Sequence, residues 1–362
     1  MPLVPPYIAA LRPYVAGRGV EEVRRQFGLS RVVKLASNEN PLGSSPLAME
    51  AVERALKGGL HRYSDGGLAL REALAARFAT KVSNVIAGSG SESLLANIIR
   101  TFLCDEDEVL TTDSAFIGFQ VLAHSRGVPY RTVPYRDYHY DLPAVAAAIT
   151  DRTKIIYLAN PNNPTGTTFT RTEFDAFYRH VPERVLIILD EAYFEYACQE
   201  PDYPDSLHYR YDNVITLRTF SKAYGLAGIR AGYGFAHEEL IANLLKVKLP
   251  FEPSGLAQAA AIAALEDREF LEKTLDLNLR SRNLLMNGLP GMGLAAIPSQ
   301  ANFVLIPLEQ GQEFAGRLLS SGVIIRPLTA FGLPECVRIS TGTIEDTEFC
   351  LEAIYKELPV CQ

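Results

Sequence analysis

The sequence predicts an α/β protein whose larger part is a mostly parallel sheet, followed by a smaller α+β unit. Three observations carry this. Short apolar runs such as "KIIYLA", "VLIIL" and "NVITL" show no polar alternation, as expected of strands covered on both faces. Helical patterns fall between them, so each strand leads into a crossover rather than a tight turn. After about Gly255 the pattern shifts to long helical stretches and then to short strands.

Taken in order, residues 1–45 are rich in proline and turn signals, close on "NENPLGSSP", and read as an arm and loop. Leu47–Leu56 and Leu68–Ala79 carry apolar residues at helical spacing. "NVIAGSGSES" reads as strand, Gly/Ser loop and helix start. Further strands are expected to end near Thr112, Ala159, Leu189 and Leu217, with Arg171–His180 as one crossover helix. The expected division is an arm over 1–45, a large domain over 46–254 and a small domain over 255–362. The last holds helices over Leu256–Asp267 and Phe270–Leu285, then strands in "NFVLIP", "GVIIRP" and "CVRIST". No internal repeat or low-complexity tract interrupts the chain.

Composition narrows the function. With 362 residues, 48% hydrophobic and 21% charged, the chain reads as a globular enzyme able to bury a substantial core. A net charge of −7 argues against affinity for nucleic acid. No apolar run approaches the ~20 residues of a membrane span, and "MPLVPPYIAALRPY" lacks a signal peptide's features, so a cytoplasmic location is expected. Five scattered cysteines and six histidines show neither disulfide nor metal-ligand spacing, and no metal is expected.

The polar motifs collect where the strands end, which is where open α/β sheets bind ligands. Asp190 follows five apolar residues and sits at a strand mouth, where an unpaired carboxylate would be expensive. A helix N-cap would also explain it, as a core position would explain Tyr193 and an ordinary turn Asn163 in "NPNNPTG". "AGSGSES" offers backbone N–H groups at a helix start, although plain capping suits it equally. Lys222, in "TFSKAYGLAGIRAGY", follows a strand end among small residues, a setting that can lower its pKa, or else it is a surface lysine. Arg230 lies eight positions on. Together the Gly/Ser loop, Asn163, Asp190, Tyr193, Ser221, Lys222 and Arg230 meet the needs of one ligand, pyridoxal phosphate. Its phosphate requires a helix N-terminus and an arginine, its ring nitrogen a carboxylate, its phenolate oxygen donors, and its aldehyde a lysine.

On the motifs "LRPY", "KLASNENPLG", "RYSD", "GSGSES", "NPNNPTG", "DEAYFEY", "TFSKAYGLAGIRAGY", "ANFVLI" and "VRIS", the chain resembles fold-type I pyridoxal-phosphate aminotransferases. More narrowly, it resembles the histidinol-phosphate aminotransferase family over nearly its whole length. The resemblance implies that Lys222 matches the Schiff-base lysine and Asp190 the partner of the ring nitrogen. It implies that Tyr193 and Asn163 donate to the phenolate oxygen, that Thr219, Ser221 and Arg230, with the backbone at Gly90 and Ser91, form the phosphate cradle, and that Glu92 is among the cofactor-binding residues. Phe116 matches the aromatic that stacks on the ring. Tyr63 matches a tyrosine donated to the neighbouring subunit's site, which implies a homodimer. Arg338, Arg326, Tyr14 and Asn38 match substrate contacts, and the implied reaction pairs histidinol phosphate with 2-oxoglutarate.

Two departures stand out: Ser64 replaces a common proline, and "GSGSES" replaces the more usual Gly-Asn-Gly-Ser-Asp-Glu. Both border the cofactor site and bear on substrate choice. An aromatic or specialised-pathway amino acid is the alternative substrate, and a phospho-amino-acid decarboxylase the alternative enzyme. A nicotinamide dehydrogenase is disfavoured because "GSGSES" lacks the G-x-G-x-x-G spacing.

Overall fold

The computed structural model describes residues 3–11, 17–208 and 212–358. Strands in chain order are β1 (Val33–Lys34), β2 (Val85–Gly88), β3 (Glu108–Thr112), β4 (Tyr130–Val133), β5 (Thr153–Ala159) and β6 (Leu186–Asp190). They continue with β7 (Val214–Thr219), β8 (Gly232–Phe235), β9 (Phe303–Pro307), β10 (Val323–Ile324), β11 (Arg326–Pro327) and β12 (Cys336–Ser340). A seven-stranded sheet has the order β2-β8-β7-β6-β5-β3-β4. β3 through β7 pair in parallel, and β8 runs antiparallel to both β2 and β7. This is the expected mostly parallel α/β sheet. β8, within "GIRAGYGF", is a strand the sequence reading did not separate from its motif.

The non-alternating strands are explained by two-sided burial. Ile155, Tyr157 and Ile188 enter a core on one face with Ile98, Phe119 and Leu244. Ile156, Leu158, Ile187 and Leu189 enter another on the opposite face with Phe174 and Phe177. Successive side chains point to opposite sides, so only an apolar residue at every position serves both cores. β6 and β7 run one and two residues past their expected ends, to Asp190 and Thr219, because pairing continues to the polar residues at their mouths.

The smaller sheet, β11-β12-β9, is antiparallel, and β1 pairs in parallel with β10. The arm thus adds a strand to the smaller unit, whose core joins Val33 and Leu35 to Val304, Phe314, Val337 and Ile354. Helix Gly255–Glu266 packs elsewhere. Its Ala257, Ala260, Ala261 and Ala264 lie in a core with Val85, Ala87 and Tyr233 of the large sheet. Alanines let the helix lie close against helix Pro46–Gly59, whose Ala48 shares that core, and Ser254 caps its start by accepting from the Ala257 N–H at 3.1 Å. We therefore propose that the larger unit runs to about Asp267, with the 21-residue helix Arg268–Gly288 leading into the smaller one. Among the described residues, no helix is long and apolar enough to cross a membrane and no cluster could hold a metal ion.

Candidate active site

The carboxyl ends of β5, β6 and β7 open onto a cavity of ≈ 450 Å³ whose far wall comes from the smaller unit. It gathers Asn38, Ser91, Glu92, Phe116, Asn163, Asp190, Tyr193, Thr219, Ser221, Lys222, Arg230, Arg326 and Arg338. Gly90 directly precedes Ser91. Tyr63 lies apart, 83% exposed, its ring stacked on Phe251 at 4.3 Å between centroids. Tyr14 falls outside the described residues.

Asp190 is buried, and its carboxylate accepts from the Tyr157 hydroxyl at 2.7 Å and the Ala192 N–H at 3.2 Å. Burial pushes its pKa above the usual carboxylate range, against those two donors and the more distant charge of Lys222. Tyr157 was not singled out from the sequence. Its signal is a lone hydroxyl in the otherwise aliphatic run "KIIYLA", where a fully buried phenol must find a partner.

Tyr193 turns in just beyond Asp190, and its hydroxyl accepts from Asn38 Nδ2 at 2.9 Å. Burial raises its phenol pKa, while the positive charge of Arg338 pulls it down. Asn38 adopts a left-handed φ of 54°, held there by Ser340, whose Oγ accepts from its N–H at 2.9 Å and donates to its Oδ1 at 2.7 Å. Arg338 donates to Asn163 Oδ1 and to the Ala36 carbonyl. That contact commits the Asn163 oxygen and leaves its Nδ2 as the donor toward the cavity.

At the other end, helix Ser91–Phe102 begins without a side-chain cap, so its first N–H groups are free for an anion. Gly90 has φ +83°, and a Cβ there would come within 2.7 Å of Arg230 Nη2. Gly232 is as confined, since its Cβ would lie 2.3 Å from the Ser91 nitrogen. Glycine at both places is what lets backbone and guanidinium converge. Thr219 Oγ1 donates to Ser221 Oγ at 3.0 Å and accepts from the Ser221 N–H, while Arg230 reaches Ser221 Oγ at 3.4 Å. Arg230 itself has φ 57°, a strained conformation for a non-glycine residue. The ring of Phe116 folds back over Gly118, where a Cβ would come within 2.6 Å of it.

Lys222 is half-buried, with Nζ 5.8 Å from the centroid of the Tyr193 ring. Burial first, and then the charge of Arg338, lower its pKa to about 8. A lysine amine is nucleophilic only when neutral. Reductive methylation of the cofactor-free protein, mapped by peptide, should therefore label Lys222 about tenfold faster per pH unit below 8 and level off above it. Surface lysines should keep accelerating toward pH 10, and a Lys222 profile parallel to theirs would overturn the assignment. The lining residues described carry four cations (Lys222, Arg230, Arg326, Arg338) against two carboxylates (Glu92, Asp190), so the cavity favours anions although the chain is acidic overall.

Residues 30–354 match the family described as aminotransferase class I and II. The chain is 44% identical over 360 residues to the histidinol-phosphate aminotransferase of Anaeromyxobacter sp. (strain Fw109-5), covering 98% of each. Its fold matches the crystal structure of histidinol-phosphate aminotransferase from Sinorhizobium meliloti in complex with pyridoxal-5'-phosphate, with a TM-score of 0.88 and 31% identity over 99% of this chain and 98% of that one. Aspartate aminotransferase from Thermus thermophilus with maleate is similar at a TM-score of 0.87 and 26% identity, over 99% of this chain and 100% of that one. The chain belongs to the class I and II aminotransferase family.

Proposed function

We propose that this protein is a pyridoxal-phosphate-dependent aminotransferase of histidine biosynthesis. It exchanges the amino group between histidinol phosphate with 2-oxoglutarate and imidazole acetol phosphate with glutamate. The donor set suits the cofactor: an uncapped helix start and Arg230 for a phosphate, a buried carboxylate that accepts from Tyr157 and a backbone N–H, and an amine of lowered pKa. Thr219, Ser221 and Arg230, with the backbone at Gly90, Ser91 and Glu92, would hold the phosphate, and Phe116 would lie against the ring. When bound, pyridoxal phosphate supplies an electron-withdrawing ring that eases proton loss from the amine-bearing carbon.

The protein's own groups do the rest. Asp190 keeps a proton on the ring nitrogen, because a buried carboxylate is strongly stabilised by a cation beside it. Tyr193 and Asn163 Nδ2 offer hydrogen bonds to one oxygen. Lys222 Nζ, neutral above about pH 8, takes and returns the proton of the reacting carbon.

One observation carries the substrate reading. Arg326 and Arg338 stand directly opposite each other in the β11–β12 register, and both line the cavity. Like charges directly opposite are destabilising, and a dianion between them relieves the cost. Histidinol phosphate carries such a phosphate, and the relatives' names favour it over the aspartate reaction, which the same fold also hosts. The test is kcat/KM for histidinol phosphate beside phenylalanine, tyrosine and aspartate, each with 2-oxoglutarate. A preference of at least about tenfold is expected, roughly 1.4 kcal/mol of transition-state discrimination. Arg326→Ala should harm the phosphorylated substrate selectively, and an equal loss for all donors would overturn the assignment.

The same reading includes a homodimer. Tyr63 and Phe251, stacked on each other, are both at least half exposed, as are Leu60 and Leu249 close to them in sequence, and so much exposed apolar surface suits an interface. Tyr63→Phe is expected to weaken cofactor binding about tenfold, as the loss of a hydrogen bond to a charged group does. Sedimentation showing a fully active monomer would refute it.

A further inference from the structure

The ladder between β6 and β7 ends at Asp190 opposite Leu217, and one residue on the Glu191 N–H donates to the Leu217 carbonyl at 2.8 Å. Alternation along a strand sends neighbouring side chains to opposite faces. Asp190 and Thr219 line the cavity, whereas Glu191 and Arg218 turn away from it and meet behind the sheet.

Their contact is closely fixed. Arg218 donates through Nε and lies with Nη2 2.8 Å from Glu191 Oε2, each side chain 1% exposed. Glu191 Oε1 accepts from the Ser206 hydroxyl and N–H, so both carboxylate oxygens are engaged. Arg218 Nη2 also meets Asp205 Oδ1 at 2.7 Å, and its Cζ sits 3.3 Å from the centroid of the Phe194 ring. Glu191, Arg218 and Phe194 are each one residue from a cavity residue: Asp190, Thr219 and Tyr193. A buried ion pair is no better for stability than two apolar residues of equal volume. What it adds is a fixed distance and direction between two strand ends, because a planar guanidinium accepts few orientations.

We propose that the Glu191–Arg218 pair is a positioning device that sets the Asp190 carboxylate and the Lys222 amine relative to each other from the opposite face of the sheet. The proposal rests on the roles of Asp190 and Lys222 given above.

The experiment compares the wild-type protein, the double variant Glu191→Leu/Arg218→Met and the single variant Arg218→Lys. Each is tested for cooperative unfolding, pyridoxal-phosphate affinity by spectral titration, and the pH midpoint of the bound cofactor's absorbance. The double variant removes both charges and is expected to fold, to bind the cofactor about tenfold or more weakly, and to titrate at a displaced midpoint. Arg218→Lys keeps a charge without the fork and should move both readouts the same way by less. Should the double variant not fold, Arg218→Lys decides on those readouts. Wild-type affinity together with a wild-type midpoint in a folded variant overturns the proposal. A wild-type protein that binds no pyridoxal phosphate overturns the functional reading, and this proposal with it.

Discussion

Lys222→Ala is expected to lower transamination by at least about 10³-fold while leaving the fold intact, the range in which losing a positioned proton-transfer group falls. No other lysine lines the cavity among the described residues, so no neighbouring amine can take its place. The change is also benign structurally. The amine is half-buried with a pKa pulled down to about 8, which means that below pH 8 its charge opposes folding rather than supporting it. Stability of the variant at pH 7 should match or exceed that of the wild type. Borohydride treatment of cofactor-loaded protein should attach the cofactor to Lys222 in the wild type, and peptide mapping of Lys222→Ala should find no fixed cofactor. Near-normal turnover in the variant would remove the central role assigned to this residue.

Asp190→Asn is expected to cost about 10²–10³ in kcat, because an amide cannot stabilise a cationic ring nitrogen as a carboxylate does. The stability change should have the opposite sign. Burial raises the folded-state pKa of Asp190 above its unfolded value, so the contribution to stability is present at low pH and lost as pH rises through the carboxylate range. At pH 7 the ionised group is a net cost to the cofactor-free fold, and the neutral amide should raise Tm or leave it unchanged. Tyr157 can still hydrogen-bond the amide, since its hydroxyl both donates and accepts. A variant with a clearly lowered Tm and unchanged kcat would contradict both halves of this expectation.

The chemistry-bearing residues were legible because each follows a strand end, and strand ends are readable where an apolar run stops. β3 and β5 end at Thr112 and Ala159 as expected, and Asp190 and Thr219 sit at the ends of β6 and β7. Asn163 and Lys222 then follow within a few residues on short connections, and Arg230 lies two residues before β8, which returns antiparallel beside β7 and so brings it to the same mouth. Tyr157 escaped notice because its position in the strand carries no polar neighbours to mark it. β8 escaped because its glycines read as part of a loop motif; Gly234 in fact permits close packing, as a Cβ there would come within 2.8 Å of Leu217.

By itself the sequence determined the mostly parallel sheet, five of its seven strands (β4 and β8 excepted), and the residue types gathered at their carboxyl ends, since burial on both faces and strand termination are local properties of a pattern. The tertiary structure alone decided four further things. It placed helix Gly255–Glu266 with the larger sheet and recruited β1 of the arm into the smaller unit. It set Arg326 directly across from Arg338, and it joined Glu191 to Arg218 behind the site. The first two join segments far apart in the chain and the last two join neighbouring strands, and all such pairings are settled by which surfaces and registers meet rather than by any periodicity within a segment.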